Sequence, residues 1–286
     1  PNIPNNKKAV ILTAGPSLDN YLKKLKSKRS EYFIISTDTA FSSCISYNFK
    51  PDAVVSIDGQ HISCNHSLHN ISNNTLFIFD LCGNPSAARK TFKYSDKILF
   101  SQTGHPFSKF YSETNKLNFI NLFSGSGTVT ITAVDFALKA GFSEIEIAGA
   151  DFSYRNGKPY AKGTYLDMLY NIDSSRCTTN EYLFSKLMFR TELINQGDSF
   201  TTQILESYKT SLENYLLENN VNFKKENDVY FLNNNHVHDK LNFEKNNNSS
   251  AEQIHSLKEM IDELDFSKIN FTSAQSIPPL IISILP

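Results

Sequence analysis

Ala9-Val10-Ile11-Leu12-Thr13-Ala14-Gly15-Pro16-Ser17-Leu18 is the stretch on which the fold turns. A short apolar run meets a Gly-Pro turn at once, and Leu18, Tyr21, Leu22 and Leu25 then recur at helical spacing. That order reads as strand, tight loop, helix. The unit recurs downstream, with a strand at Tyr32 to Ser36, a helix at Ala40 to Tyr47, and a strand at Ala53 to Ile57 that ends in Asp58-Gly59. Strands that alternate with helices imply parallel pairing, because each parallel return needs a long crossover.

The series continues through Leu76 to Leu81, Lys97 to Phe100 and Phe119 to Leu122, with a Pro-Ser-Ala-Ala helix start between the first two. Phe123-Ser124-Gly125-Ser126-Gly127-Thr128 then leads into a helix from Val129 to Ala140, closed by Gly141. A seventh strand, Glu144 to Ala148, ends in Gly149-Ala150-Asp151. The expected fold is α/β: a Rossmann-like, mostly parallel sheet with helices on both faces, a lid and a C-terminal helical tail. From Phe152 to about Asn180 the periodicity is lost, as in an active-site lid. Helices are expected at Glu181 to Ile194 and Thr201 to Leu217, and short strands near Val221 to Lys224 and Val229 to Leu232. The organisation expected is a Rossmann-like nucleotide- or nucleotide-sugar-binding domain over 1–232 with its lid at about 152–180. A linker and helical tail follow over 233–286, with an acidic helix at Glu252 to Leu264.

Of the 286 residues, 40% are apolar and 12% aromatic without a Trp, enough for a core packed by Phe and Tyr. Twenty-eight basic against 29 acidic side chains supply no field for a polyanion, which argues against nucleic acid. Cys44, Cys64, Cys82 and Cys177 show no CxxC spacing, so a zinc ribbon and a disulfide framework are both unexpected, and a reducing cytoplasm fits. No run is long enough to span a membrane. The apolar end, Ile277 to Leu285, reads as a docking segment, and the abrupt Pro-containing ends suit a piece of a longer chain.

In open parallel sheets ligands sit beyond the strand C-termini. The residues expected there are Gly15, Pro16 and Ser17; Asp38; Asp58; Ser124, Gly125, Ser126, Gly127 and Thr128; and Gly149 with Asp151. Two Gly-rich turns running into helix starts offer N–H groups and a positive dipole end to a phosphate, or else are plain capped turns. Asp58 and Asp151 could hold a divalent metal or ribose hydroxyls, or cap helices; Asp38 shares that ambiguity. His61, His66 and His69 form no metal-ligand pattern and read as surface residues, as do His236 and His238. His105, after a strand, is the histidine expected to face the crevice as a base.

Gly15-Pro16-Ser17-Leu18, the run Lys50 to Asp58, and Gly125 to Asp151 resemble the MptE-like domain of flagellin glycosyltransferases called motility accessory factors and of archaeal 6-hydroxymethylpterin diphosphokinases. The first loop and Ala148 to Phe152 are also similar to bacterial sialyltransferases that use CMP-sialic acid. The resemblance covers roughly Lys8 to Lys162 and implies a Rossmann-like sheet. In the sialyltransferases an Asp-Phe-Tyr run precedes Asn-Gly and Tyr-Ala, and two tyrosines assist phosphate departure. Asp151 to Ala161 match with one extra residue, which implies those roles for Tyr154 and Tyr160. Two features depart: no residue from Phe152 to Thr202 is the lid histidine, and Asp38 stands where the sialyltransferases carry Asn.

The resemblance thus implies a transferase that moves a sialic-acid-like sugar from a CMP-activated donor to a hydroxyl, such as a flagellin Ser or Thr, with no cofactor required. The alternatives are a pyrophosphokinase using Mg²⁺ held by Asp58 and Asp151, or a silent module binding a nucleotide sugar or a protein. The sugar, the acceptor and any homo-oligomer stay open.

Overall fold

A computed structural model of the chain describes residues 7–66, 71–114, 117–125 and 127–234. The expected alternation is present: β1 (Lys8–Leu12), α1 (Leu18–Leu25), β2 (Tyr32–Thr37), α2 (Asp38–Ser46), β3 (Ala53–Ser56), β4 (Leu76–Asp80), α3 (Pro85–Phe92), β5 (Ile98–Gln102), α4 (Pro106–Thr114), β6 (Ile120–Asn121), α5 (Val129–Lys139) and β7 (Glu144–Ala148). The chain then passes through β8 (Tyr154–Arg155), α6 (Tyr165–Asp173), α7 (Asn180–Met188), β9 (Ile194–Asn195), β10 (Ser199–Thr201), α8 (Gln203–Glu218), β11 (Asn222–Glu226) and β12 (Val229–Asn233).

Among the described residues, nine strands form one sheet in the order β11-β12-β7-β1-β2-β3-β4-β5-β6. From β7 to β6 all neighbours run parallel. The hairpin β11–β12 closes the β7 side antiparallel, with Tyr230 opposite Ile147. The chain steps outward from β1 to β6 and then returns to the other flank of β1, so the strand order reverses between β1 and β7. That reversal opens a crevice at the strand C-termini.

Alternation along each strand separates two cores. Ala9, Ile11 and Ile35 cluster with Ile131, Val134 and Phe136 of α5 and Leu212 and Leu216 of α8. Val10, Leu12 and Ile34 cluster with Leu18, Leu22 and Leu25 of α1 and Ala40 and Cys44 of α2. Farther along the sheet, Val54, Phe77, Phe79 and Phe100 pack with Ala87 of α3 and Tyr111 of α4. Because α5 is covered by the sheet on one side and α8 on the other, Thr130 to Leu138 are all buried. This explains a helix apolar on nearly every face.

Two regions differ from expectation. The stretch from Phe152 to about Asn180 is not aperiodic: it contains β8 and α6, but α6 buries none of its side chains fully, so no core stripe marks it. The helix expected at Glu181 to Ile194 ends at Met188, and the chain turns through β9 into β10, forming a three-stranded sheet in the order β8-β10-β9. Strands of two and three residues are too short to show a period. Helix α4 has no counterpart in the sequence reading, because it buries Ser108 and Ser112 beside Tyr111. His69, the side chain of His61, His236, His238, the helix at Glu252 to Leu264 and the apolar Ile277 to Leu285 lie outside the described residues. Among the described residues no helix is long and apolar enough to cross a membrane.

Candidate functional site

A cavity of about 460 Å³ lies over the switch point, walled by the ends of β1, β2, β3 and β7, the first turn of α5, and the 152–165 segment. Its floor is where the loops after β1 and β7 cross. A Cβ on Gly15 would stand 2.2 Å from the Gly149 carbonyl oxygen, and one on Gly149 would stand 2.1 Å from that of Thr13. Gly149 also holds φ at +79°. Both positions therefore require glycine for backbone contact.

That crossing corrects the expected role of the first loop. Gly15 N–H donates to the Gly149 carbonyl at 2.8 Å and Ser17 N–H to Asp151 Oδ2 at 2.8 Å, while Pro16 has no N–H. None of the three offers a free backbone N–H to a phosphate. Gly15 lines the cavity; Pro16 and Ser17 do not, Pro16 facing a separate groove behind it. The resemblance located a real structural feature, but its Gly-Pro-Ser turn locks two strand ends together.

The second loop is arranged differently. Gly127 and Thr128 line the cavity, and among the described residues no acceptor meets the N–H of either. Thr128 caps α5 by accepting the Thr130 N–H, so the positive end of an 11-residue helix faces the cavity. The loop is fixed from below by Asp135, which accepts Phe123 N–H at 2.7 Å, the Tyr215 hydroxyl at 2.7 Å and Lys139 Nζ at 2.7 Å. Ser124 and Gly125 are not in the lining: the Ser124 hydroxyl donates to the Thr103 carbonyl, and Gly125 leaves room for the Phe123 ring. Ser126 lies outside the described residues. Gly127, with φ +71° and the Tyr208 ring 3.3 Å from its Cβ position, needs glycine with or without a ligand.

The carboxylates separate in role. Asp58 lines the cavity and accepts the Gln60 N–H. Asp151 also lines it, yet Oδ2 holds Ser17 and Oδ1 lies 3.6 Å from Arg155 Nε. Burial pushes the Asp151 carboxyl up, against the pull of Ser17 and Arg155. Asp38 is a correction: it is 1% exposed, does not line the cavity, and accepts from Thr39 and from the Ser56 hydroxyl at 2.7 Å. It ties β3 to α2 under the cavity. His105 is a second correction: it is absent from the lining and caps the start of α4, its Nδ1 accepting the Phe107 N–H.

Tyr154 and Tyr160 both line the cavity, joined by Tyr165 and Tyr208. Arg155 and Lys158 exchange backbone hydrogen bonds around Asn156 and Gly157, both at positive φ, which is the two-residue hairpin turn that Asn-Gly favours. This turn folds the segment back so that both phenols face one space. Burial raises the pKa of both, with neighbouring tyrosines adding to it at Tyr160, so both remain protonated donors at neutral pH. Phe152, between Asp151 and the hairpin, sits at φ +51°, a strained conformation for an aromatic residue.

The histidine in the wall is His66, which the sequence reading placed on the surface. The available signal was its position: it follows β3 on the same sheet edge as Asp58. Among the described residues no three His, Cys, Asp or Glu side chains group as a metal site. Mg²⁺ held between carboxylates and phosphates needs open carboxylate oxygens. Asp151, bonded to Ser17 and facing a guanidinium, does not fit that requirement.

Fold and cavity together define a Rossmann-like α/β domain with its ligand space at the topological switch point. The chain belongs to the MptE-like family, as the resemblance implied: the profile of that family, described as 6-hydroxymethylpterin diphosphokinase MptE-like, matches residues 1–157. An uncharacterised protein of Treponema pallidum (strain Nichols) is 36% identical over 152 residues, covering 52% of this chain and 54% of the relative. A second from the same organism is 46% identical over 63 residues, covering 22% and 30%. The chain thus spans about half the length of the first relative and less of the second. Among solved structures, the MAf glycosyltransferase from Magnetospirillum magneticum AMB-1 shares the fold, with a TM-score of 0.50 and 16% identity, over 74% of this chain and 30% of that one.

Proposed function

We propose that the protein is a glycosyltransferase that moves a nonulosonic, sialic-acid-like sugar from a CMP donor to a hydroxyl acceptor, such as a flagellin Ser or Thr. The observation that carries this reading is the convergence of Tyr154 and Tyr160 on the cavity that the α5 N-terminus also faces. In the proposed step the acceptor oxygen bonds to the anomeric carbon as the bond from that carbon to the phosphate oxygen breaks. The electron pair leaves with CMP. Donors aimed at the departing phosphate help most as its charge develops. The 152–165 segment serves as the lid.

Replacing Tyr154 or Tyr160 with Phe should lower the rate of CMP release about 10²-fold, the scale for losing one such donor. CMP affinity, read by thermal shift, should change far less. Parental rates in both variants would remove the mechanism. A pyrophosphokinase reading is left with Asp58 in the cavity, since Asp151 is engaged by Ser17 and Arg155, and a larger thermal shift with ATP and Mg²⁺ than with CMP would favour it. Binding of a CMP-sugar without turnover would favour a silent module.

A further inference from the structure

His66 stands in the cavity wall with its backbone fixed. Its N–H donates to the Ser63 carbonyl at 3.1 Å, and its own carbonyl accepts the Ser42 hydroxyl at 2.8 Å, so the backbone is pinned from two sides. The ring stands edge-on to Tyr165, with centroids 6.0 Å apart, at the first residue of α6. Its Nδ1 is buried with no hydrogen-bond partner. A buried polar nitrogen left unpaired is destabilising unless something else uses it.

The titratable groups around the cavity are few. Asp151 is engaged by Ser17 and Arg155, and the phenols of Tyr154 and Tyr160 are pushed further from ionising by burial. Tyr165 and Tyr208 are phenols, so among the described lining side chains Asp58 and His66 are left as candidate proton acceptors. An imidazole, ordinarily near ~6.5, is a far stronger base than a carboxyl near ~3.9.

We infer that His66 takes the proton of the acceptor hydroxyl in the transfer step. This rests on the transfer reading above. As the acceptor oxygen bonds to the anomeric carbon, its O–H electron pair stays with oxygen and the proton moves to the imidazole. The imidazolium then returns the proton to water.

The test uses the whole chain with CMP-N-acetylneuraminate and CMP-pseudaminate as donors and water as the acceptor, following CMP release. His66→Ala and His66→Gln should each slow release about 10²-fold or more. CMP affinity by calorimetry should be retained, and added imidazole should restore part of the rate in His66→Ala. A merely structural histidine would give no such rescue. An active parent with an equally active His66→Gln overturns the inference and leaves the transfer reading standing. A parent that releases no CMP from either donor overturns both.

Discussion

At the scale of single residues, the glycines divide into those required by packing and those required only by backbone angle. Gly149 has both requirements, φ +79° and the Thr13 oxygen 2.1 Å from its Cβ position; Gly157 has φ +67° and open space around it. Gly157→Ala should cost ~1–2 kcal/mol from the left-handed conformation alone. Gly149→Ala should add ~1–3 kcal/mol of overpacking to that penalty. Urea unfolding of the two variants compares them, and equal losses would mean the strand-end crossing is slacker than described. Asp38 permits a pH argument. Its folded pKa is raised, chiefly by burial, from 3.8, so above that value the native state holds its proton longer than the unfolded chain does. Its contribution is fully present at low pH and is lost as pH rises through the folded pKa. Asp38→Asn removes that slope, so the parent's Tm should fall relative to the variant's between pH 4 and 7. A flat difference would refute the burial argument. Sequence could not distinguish Asp38 from Asp58, since both end a strand; Ser56, which binds Asp38, is recognisable only once β3 lies against β2.

At the scale of elements, what could be read from the sequence followed burial. Strands β1, β2 and β4 and helix α5 were recognisable because continuous apolar runs and a fully buried helix leave a strong pattern, and β7 because Ile145 and Ile147 alternate with glutamates. The small sheet and α4 were not, because their pairing depends on partners distant in sequence: Phe200 lies opposite Tyr154, and Thr201 reaches the Phe152 carbonyl. The Asn156-Gly157 turn was readable because its chemistry is local. Arg155, in the same hairpin, links three elements by facing Asp151 after β7 and pairing with Asp228 in the β11–β12 turn at 2.5 Å. Arg155→Met would leave the nearly buried Asp151 without its guanidinium. The loss should be ~1–2 kcal/mol, below that of a fully buried pair because Arg155 is about one-third exposed. The urea midpoint measures it, and an unchanged midpoint would show that the link carries no stability.

At the scale of the whole molecule, the cavity has a side whose amides are bonded within the protein and a side whose amides are not. The amides of the first loop are bonded within the protein, Gly15 to Gly149 and Ser17 to Asp151, whereas Gly127 and Thr128 have no described acceptor. The local pattern of a Gly-rich turn running into a helix made the two loops look equivalent, because hydrogen-bond partners more than a hundred residues away are invisible to it. The asymmetry gives the two loops different clocks for amide hydrogen exchange. The Gly15 and Ser17 amides should be slow in the free protein and no slower with CMP, since opening them means separating β1 from β7. The Gly127 and Thr128 amides should exchange quickly in the free protein and slow when an anion seats on them. A ligand would thus write its signature on one rim of the cavity and leave the floor beneath it silent.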